Sequence, residues 1–204
     1  QAQVVIDLTN AAVVFAHAQT IIKAGARPII GTSGLTHHEV AELAQQVQEA
    51  RIGGIIAPNF SLGAILMMRF AQQAAAYFEH AEIIEMHHPA KLDAPSGTAI
   101  KTAELIAEGQ KQRTRSLQDK PAVHETVPHA LGAQVLGVPV HSVRMAGLIA
   151  RQQVIFGQQG ETLTIDHQTS ERTSFIPGIR LACQHVMQLN TLVYGLENLL
   201  DIAP

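Results

Sequence analysis

Glu82-Ile83-Ile84-Glu85-Met86-His87-His88-Pro89-Ala90-Lys91-Leu92-Asp93-Ala94-Pro95-Ser96-Gly97-Thr98-Ala99 is the stretch around which this chain is organised. Its first part, Glu82 to His87, carries the β-branched pair Ile83-Ile84 and reads as a strand that delivers His87 and His88 to its end. A proline-bracketed loop with Lys91 and Asp93 follows. Pro95-Ser96-Gly97-Thr98 then opens an alanine-rich helical pattern that runs through Ile106. Ser96 has the chemistry of an N-cap, and the helix behind it presents unpaired N–H groups and a positive dipole end. Gly97 lets backbone come close to a ligand, and the hydroxyls of Ser96 and Thr98 add donors. Such a turn suits a carboxylate or a phosphate. Proton donors and an anion cradle on one short segment point to a site for a small anionic substrate.

Plainer readings of the same residues exist. A histidine pair is often surface or core polarity, and Ser-Gly-Thr before a helix is often only a cap. A metal is a third reading, and it would support a metal-dependent hydrolase. Neighbours on an extended strand point to opposite faces, however, and no third ligand stands at a standard spacing, so no metal is expected.

Upstream, Gln3 to Leu8 reads as a buried strand, and Asn10 can cap the helix after it. Val14, Ala18, Ile21 and Ile22 keep helical spacing, and Gly25 supplies the stop. Pro28-Ile29-Ile30 is a second strand, ending in Gly31-Thr32-Ser33-Gly34. Thr36 and Glu39 form a capping box ahead of a helix whose inner face is Val40, Leu43, Ala44 and Val47. Ile52 to Ala57 is a third strand. Buried strands alternating with amphipathic helices give βαβ units and a parallel sheet. Ligands bind at the carboxyl ends of such strands, here Thr9-Asn10, Gly31 to Gly34 and Pro58 to Phe60, although ordinary tight turns would look the same.

Downstream of that sheet, Ser61 begins a helix with Leu62, Ile65, Leu66, Phe70 and Ala74 facing inward. Residues 109–137 are polar, with Lys111, Arg113, Arg115 and Lys120, and read as a long surface loop. Val138 to Arg144, Gln153 to Phe156 and Thr162 to His167 read as strands, the last two joined by a hairpin at Gly157 to Gly160. With Glu82 to His87 they make a mixed, roughly four-stranded sheet. Phe175 to Leu192 is a final helix packing through Ile179, Ala182, Val186 and Leu189, and Tyr194 to Leu200 is a short amphipathic tail. Val138, Val140, Val154, Phe156, Leu163 and Ile165 are too apolar for both sheet faces to be wet, so a second copy is expected to cover one.

Composition narrows the classes. The chain has 204 residues, 47% hydrophobic and 15% charged, which is ample for a core. A formal net charge of −3 favours neither nucleic acid nor an anionic membrane as partner, so an anionic substrate must be attracted locally. No apolar run reaches membrane-spanning length, and no signal peptide is evident. The single cysteine, Cys183, reads as buried filler in a reducing compartment.

His87-His88-x-x-Lys91-x-Asp93-Ala94-Pro95-Ser96-Gly97-Thr98-Ala99 resembles the signature of the dihydrodipicolinate reductase family, nicotinamide-dependent enzymes of bacterial and plant lysine biosynthesis. The resemblance extends to Gly31-Thr32-Ser33-Gly34, to Ala57-Pro58-Asn59-Phe60-Ser61 and to His167-Gln168-Thr169-Ser170-Glu171-Arg172. It implies an α/β fold with a partial Rossmann-like parallel sheet, a second α+β domain, and a cytoplasmic or plastid-stromal setting. Residues 1–60 would be the nucleotide-binding part, 61–175 the substrate-binding and oligomerisation domain, and 176–204 a helix and tail returning to the first part. It further implies His87 as proton donor, Lys91 as second cationic donor, and His88, Ser96, Gly97 and Thr98 as contacts to a small dicarboxylate. Thr9, Gly31, Thr32, Ser33, Pro58, Asn59 and Phe60 would meet NADH or NADPH. Sheet-to-sheet pairing would give a homotetramer, or a homodimer. Arg144 and Arg172 add positive field or form surface salt bridges, and Asp93 braces its loop.

This sequence departs from the family's pattern at Leu8, where phenylalanine is usual, at Ala11-Ala12, where proline is common, and at Arg151, where histidine is frequent. The family's Gly-x-Gly-x-x-Gly turn, which receives the pyrophosphate, lies ahead of the position matching Gln1. The sequence is therefore expected to be the later part of such a protein. These residues alone are expected to hold the dinucleotide weakly or not at all. The alternative expectation is a shortened, non-redox descendant that binds dicarboxylate or only assembles.

Overall fold

The structure is a computed structural model that describes residues 2–112 and 124–200. It divides into two compact units, Gln1–Ile65 with Thr173–Pro204, and Leu66–Arg172.

The first unit is built on a four-stranded parallel sheet. Its strands are β1 (Val4–Asp7), β2 (Arg27–Ile30), β3 (Gly54–Ile56) and β9 (Leu192–Tyr194), in the order β1-β2-β3-β9. Ile6 pairs with Ile29, Ile29 with Ile55, and Ile55 with Val193. Helices α1 (Val14–Lys23) and α2 (His37–Glu49) bury Val14, Ala18, Ile21, Ile22, Leu43 and Val47 against Ile30 and Ile56. Fully burying each valine, leucine or isoleucine among them is worth about 1.5–3 kcal/mol, and it sets the sheet's position.

Local chemistry explains most of the boundaries. Thr36 Oγ1 accepts from Glu39 N, and the Glu39 carboxylate accepts from Thr36 N at 2.7 Å, a complete capping box. Asn10 acts differently from the expected cap. Its side chain accepts from Ala12 N at 3.0 Å, while its carbonyl accepts from Val13 and Val14, and Val13 stands at the N-cap of α1. The C-terminal segment also differs from expectation. Helix α5 (Ile176–Val186) stops six residues short of Leu192, and Leu192-Val193-Tyr194 is the sheet's fourth strand. A three-residue apolar run is too short for its period to show in sequence, and only pairing with β3 defines it.

The second unit holds a five-stranded mixed sheet, where roughly four strands were expected. Its strands are β4 (His80–His87), β5 (Ala133–Val135), β6 (Val138–Arg144), β7 (Ala150–Gln158) and β8 (Glu161–Thr169), in the order β5-β6-β4-β7-β8. The added strand, β5, lies in the stretch expected to be loop and pairs antiparallel with β6. Of the cations assigned to that loop, Arg113, Arg115 and Lys120 lie outside the described residues. Gln159-Gly160 makes the expected hairpin between β7 and β8.

Helix α4 (Gly97–Gln110) packs on β4 and β6 through Ala99, Thr102, Ala103 and Ile106. Beneath it lie Ala81, Ile83, Val138, Val140, Val154 and Phe156, all buried. Helix α3 (Leu62–Ala74) turns a different stripe inward from the expected one. Ala64, Ile65, Met67, Met68 and Ala71 are buried, whereas Phe70 is 45% exposed. The error is one of phase, because the helix is apolar nearly all round and periodicity alone does not choose its inner face.

Candidate active site

Strand β4 alternates, with Ala81, Ile83 and Glu85 buried and Glu82 exposed. An acidic side chain on the buried parity of a central strand needs partners, and Glu85, fully buried, has several. Arg144, at the end of β6, donates through its two terminal guanidinium nitrogens to Oε2 at 2.9 Å and Oε1 at 2.8 Å. His87 Nδ1 lies 2.6 Å from Oε2, and the Ser96 N–H donates to Oε1 at 3.3 Å. Arg144 also donates to the Asp93 carbonyl at 2.7 Å. One carboxylate thus ties the strand end, the loop and the start of α4 together.

The charge states follow from this cage. Burial by itself raises the Glu85 carboxyl, but hydrogen bonds from Arg144, Ser142 and His87 outweigh it and hold it below the usual range. Glu85 is ionised and can only accept, so His87 carries its proton on Nδ1, leaving Nε2 for exchange with a substrate. Burial lowers the His87 imidazole below its ordinary value, against the opposing pull of Glu85. Lys91 Nζ donates to Asp93 at 2.8 and 3.0 Å, and that contact holds the Asp93 carboxyl low. His88 is exposed, and its carbonyl accepts from the Lys91 N–H at 3.2 Å.

The turn into α4 is a true cap. Ser96 is extended, at φ −67° and ψ 152°, and its Oγ accepts from Ala99 N at 3.2 Å. The residue is buried, so what it presents outward runs chiefly through the main chain. Gly97 is the exposed first residue of the helix, and a Cβ built on it would meet nothing within 4 Å. That open space above a helix N-terminus has room for an anion. Thr98 is half-buried; Gln152 donates to Thr102 Oγ1 and Thr102 to the Thr98 carbonyl, both at 2.7 Å, which pins this end of α4 to the sheet.

Glu85 and the full role of Arg144 escaped the sequence reading, although an acid sharing the parity of Ile83 was the signal for the first. Arg144 is no surface salt bridge, because its partner is wholly buried. Arg151 pairs with Asp166 through two nitrogens, and Arg172 begins a 3-10 turn, exposed. Among the described residues, no three His, Cys, Asp or Glu side chains are grouped to hold a metal.

In the first unit, the residues expected to meet a nucleotide cluster in part. Asp7, 5% exposed, ends β1 and accepts from Thr9 and Thr32. Gly31 follows β2; a Cβ there would sit 2.5 Å from both Leu8 and Phe60, so only glycine permits this close approach. Phe60 is buried, and Gly178 of α5 passes so near that a Cβ would lie 2.0 Å from the Phe60 carbonyl. Asn59 accepts from Ser61 N at 2.8 Å, while Ser33 and Pro58 are exposed. Asp7 and His17 were not singled out in sequence.

Residues 1–60 match the family description "Dihydrodipicolinate reductase, N-terminus", and residues 63–200 match "Dihydrodipicolinate reductase, C-terminus". The chain is 54% identical over 200 residues to the 4-hydroxy-tetrahydrodipicolinate reductase of Legionella pneumophila, covering 98% of this chain and 81% of that one. Identity to the enzyme of the same name from Bacillus subtilis is 49% over 201 residues, covering 98% and 74%. The fold superposes on dipicolinate-bound dihydrodipicolinate reductase from Paenisporosarcina sp. TG-14 with a TM-score of 0.86 at 47% identity, over 97% of this chain and 74% of the other. With both halves matched and identity near one half throughout, this chain belongs to the dihydrodipicolinate reductase family.

Proposed function

We propose that the protein is a 4-hydroxy-tetrahydrodipicolinate reductase, reducing a cyclic dicarboxylate imine of lysine biosynthesis with NADH or NADPH. The observation that carries this is the Glu85 cage, which holds His87, the Asp93 carbonyl and the Ser96 cap on one carboxylate. Similarity to a relative whose structure is described as dipicolinate-bound supports a dicarboxylate as the ligand class.

The cofactor, when bound, supplies hydride. Hydride addition to a conjugated imine places negative charge on the ring, and a positioned donor and cations lower the barrier to it. In this reading His87, in its protonated form, gives a proton from Nε2 while Glu85 keeps the ring turned by holding Nδ1–H. Lys91 adds a second donor. The N-terminus of α4 at Gly97 and Thr98, with His88 nearby in sequence, holds a carboxylate and limits tumbling of the substrate.

The residues present fit one end of the cofactor. Thr9 and Thr32 stand on a buried carboxylate, and Gly31 is bare beside Leu8 and Phe60, which suits a flat ring. Thr9, Gly31, Thr32, Ser33, Pro58, Asn59 and Phe60 are the residues we assign to it. No Gly-x-Gly-x-x-Gly turn, the usual pyrophosphate cradle of such folds, occurs within residues 1–204.

The deciding experiment supplies purified protein with the cyclic imine and each reduced dinucleotide, and follows loss of reduced-nicotinamide absorbance together with tetrahydrodipicolinate formation. Substrate-dependent oxidation with matched product is expected. Dicarboxylate binding without turnover would replace this reading with the non-redox one.

A further inference from the structure

Asp7 is the buried titratable group that the proposed chemistry leaves unused. It lies at the carboxyl end of β1, where its backbone carbonyl accepts from the Gly31 N–H at 2.9 Å and so joins it to the loop after β2. Its side chain accepts from Thr9 N at 3.2 Å, from Thr9 Oγ1 at 2.9 and 3.1 Å, and from Thr32 Oγ1 at 2.6 Å. His17 Nδ1 of α1 closes the cage at 2.7 Å from Oδ2. Burial alone would raise this carboxyl, but the contacts from Thr32, His17 and Thr9 outweigh it and bring it to about 2, so it is ionised at any working pH.

A threonine hydroxyl has one hydrogen. Thr9 and Thr32 both direct theirs at an anion that can only accept. Toward any ligand above the two loops, these oxygens therefore present lone pairs. We propose that Asp7 is a positioning residue that locks the hydroxyls of Thr9 and Thr32 as acceptors, so that the loops ending β1 and β2 select a ligand edge that donates, such as the NH2 of the carboxamide on a nicotinamide ring. The inference rests on the cofactor reading above and adds to it which face of the ring substituent is chosen, and by which residue. A ligand with only an acceptor at that position would meet oxygen against oxygen.

The test compares equilibrium binding of NAD with its acetylpyridine analogue, in which a methyl group replaces the NH2 and no charge changes. Ligand-observed NMR and calorimetry on the full chain read both affinities. The wild-type protein should prefer NAD by about five- to tenfold, the scale of one neutral hydrogen bond. Asp7→Ala frees the hydroxyls to turn and donate to the acetyl oxygen, so the ratio should fall toward one. Asp7→Asn should keep the preference, because both threonines bond Oδ1 and the new amide nitrogen can face His17 in its other tautomer. A purely structural role for Asp7 would weaken both ligands alike and leave the ratio unchanged. If the charge of Asp7 were what mattered, Asp7→Asn would lose the preference as fully as Asp7→Ala, and that result would overturn the proposal. Should Asp7→Ala fail to fold, the near-isosteric Thr9→Val and Thr32→Val must each reduce the ratio, and an unchanged ratio in both is equally fatal. Equal affinity of the wild type for the two dinucleotides overturns the proposal while leaving the cofactor reading intact. Failure of the wild type to bind either removes the cofactor reading itself.

Discussion

Glu85 carries more of the site than the histidine it orients. Replacing it with Gln keeps the shape but removes the charge that pairs with Arg144; because Arg144 is partly exposed, the loss is about 1–3 kcal/mol, the scale of leaving buried polar groups imperfectly paired. Urea unfolding of Glu85→Gln should show a loss on that scale. Its pH profile should move as well. Burial sets the His87 imidazole below its ordinary range, and Glu85 opposes that shift. A proton given by His87 requires the charged ring, so kcat/KM should be fullest below the His87 pKa and decline as pH rises through it, beginning below 6.5. Without the carboxylate this decline should start at still lower pH; an unmoved profile would separate Glu85 from His87. His87→Ala and Lys91→Ala should each lower turnover by roughly a hundredfold or more, the usual scale for a positioned donor. A profile that stays flat well above neutrality in the wild type would shift the donor role from His87 to Lys91. His87 sits at the strand end, as the sequence suggested, but its side chain is only 16% exposed and touches a buried acid. Its replacement should therefore also cost about 1 kcal/mol of stability, seen by the same unfolding measurement.

At the scale of elements, the turn into α4 separates capping from binding. The cap uses Ser96 Oγ and Ala99 N, whereas the space above Gly97 is open. Gly97→Ala leaves the cap intact and, on helix propensity, should not lower the melting temperature. A methyl at that point stands in the way of a carboxylate, so calorimetry with pyridine-2,6-dicarboxylate should show affinity reduced by about tenfold or more. Unchanged affinity would leave Ser-Gly-Thr as a cap alone. This turn was legible in sequence because an N-cap, a glycine and an alanine-rich helix are local signals. The capping box at Thr36 and the strand-helix alternation of the first unit were legible for the same reason. What local pattern did not show was decided by pairing. Strands β5 and β9, of three residues each, exist through their neighbours, and Glu85 and Arg144 stand 59 positions apart and meet only because β4 and β6 are adjacent and parallel. Asp7 went unremarked because, Thr9 apart, its partners come from α1 and from the loop after β2.

For the whole molecule, the faces of the mixed sheet decide association, and the apolar residues expected from sequence to meet a second copy lie on the face that α4 covers. Val138, Val140, Val154 and Phe156 lie under α4 and are already buried within one chain, and Leu163 and Ile165 share their parity on the outer strand. The opposite face carries Ile84 and Met86 of β4, Val143 of β6 and Ile155 of β7, half-buried, among Glu82, His141, Arg151, Gln153 and Asp166. His141 meets Glu82 at 2.8 Å, and Arg151 and Gln153 meet Asp166. Polar groups satisfied within the chain lower the penalty of covering this face, and four apolar side chains on three adjacent strands supply the gain. A second copy is the occupant we expect, with the two sheets face to face about a two-fold axis, as the family resemblance implies. Ile155 pairs with Glu82 and Thr164 near the middle of the face, so Ile155→Glu would place a second carboxylate beside Glu82 and oppose a like charge from the partner. Light scattering at micromolar concentration should give a homotetramer or homodimer for the wild type and a lower mass for Ile155→Glu, with circular dichroism unchanged. A monomer mass for the wild type would leave this face exposed to solvent and remove the argument for assembly through it.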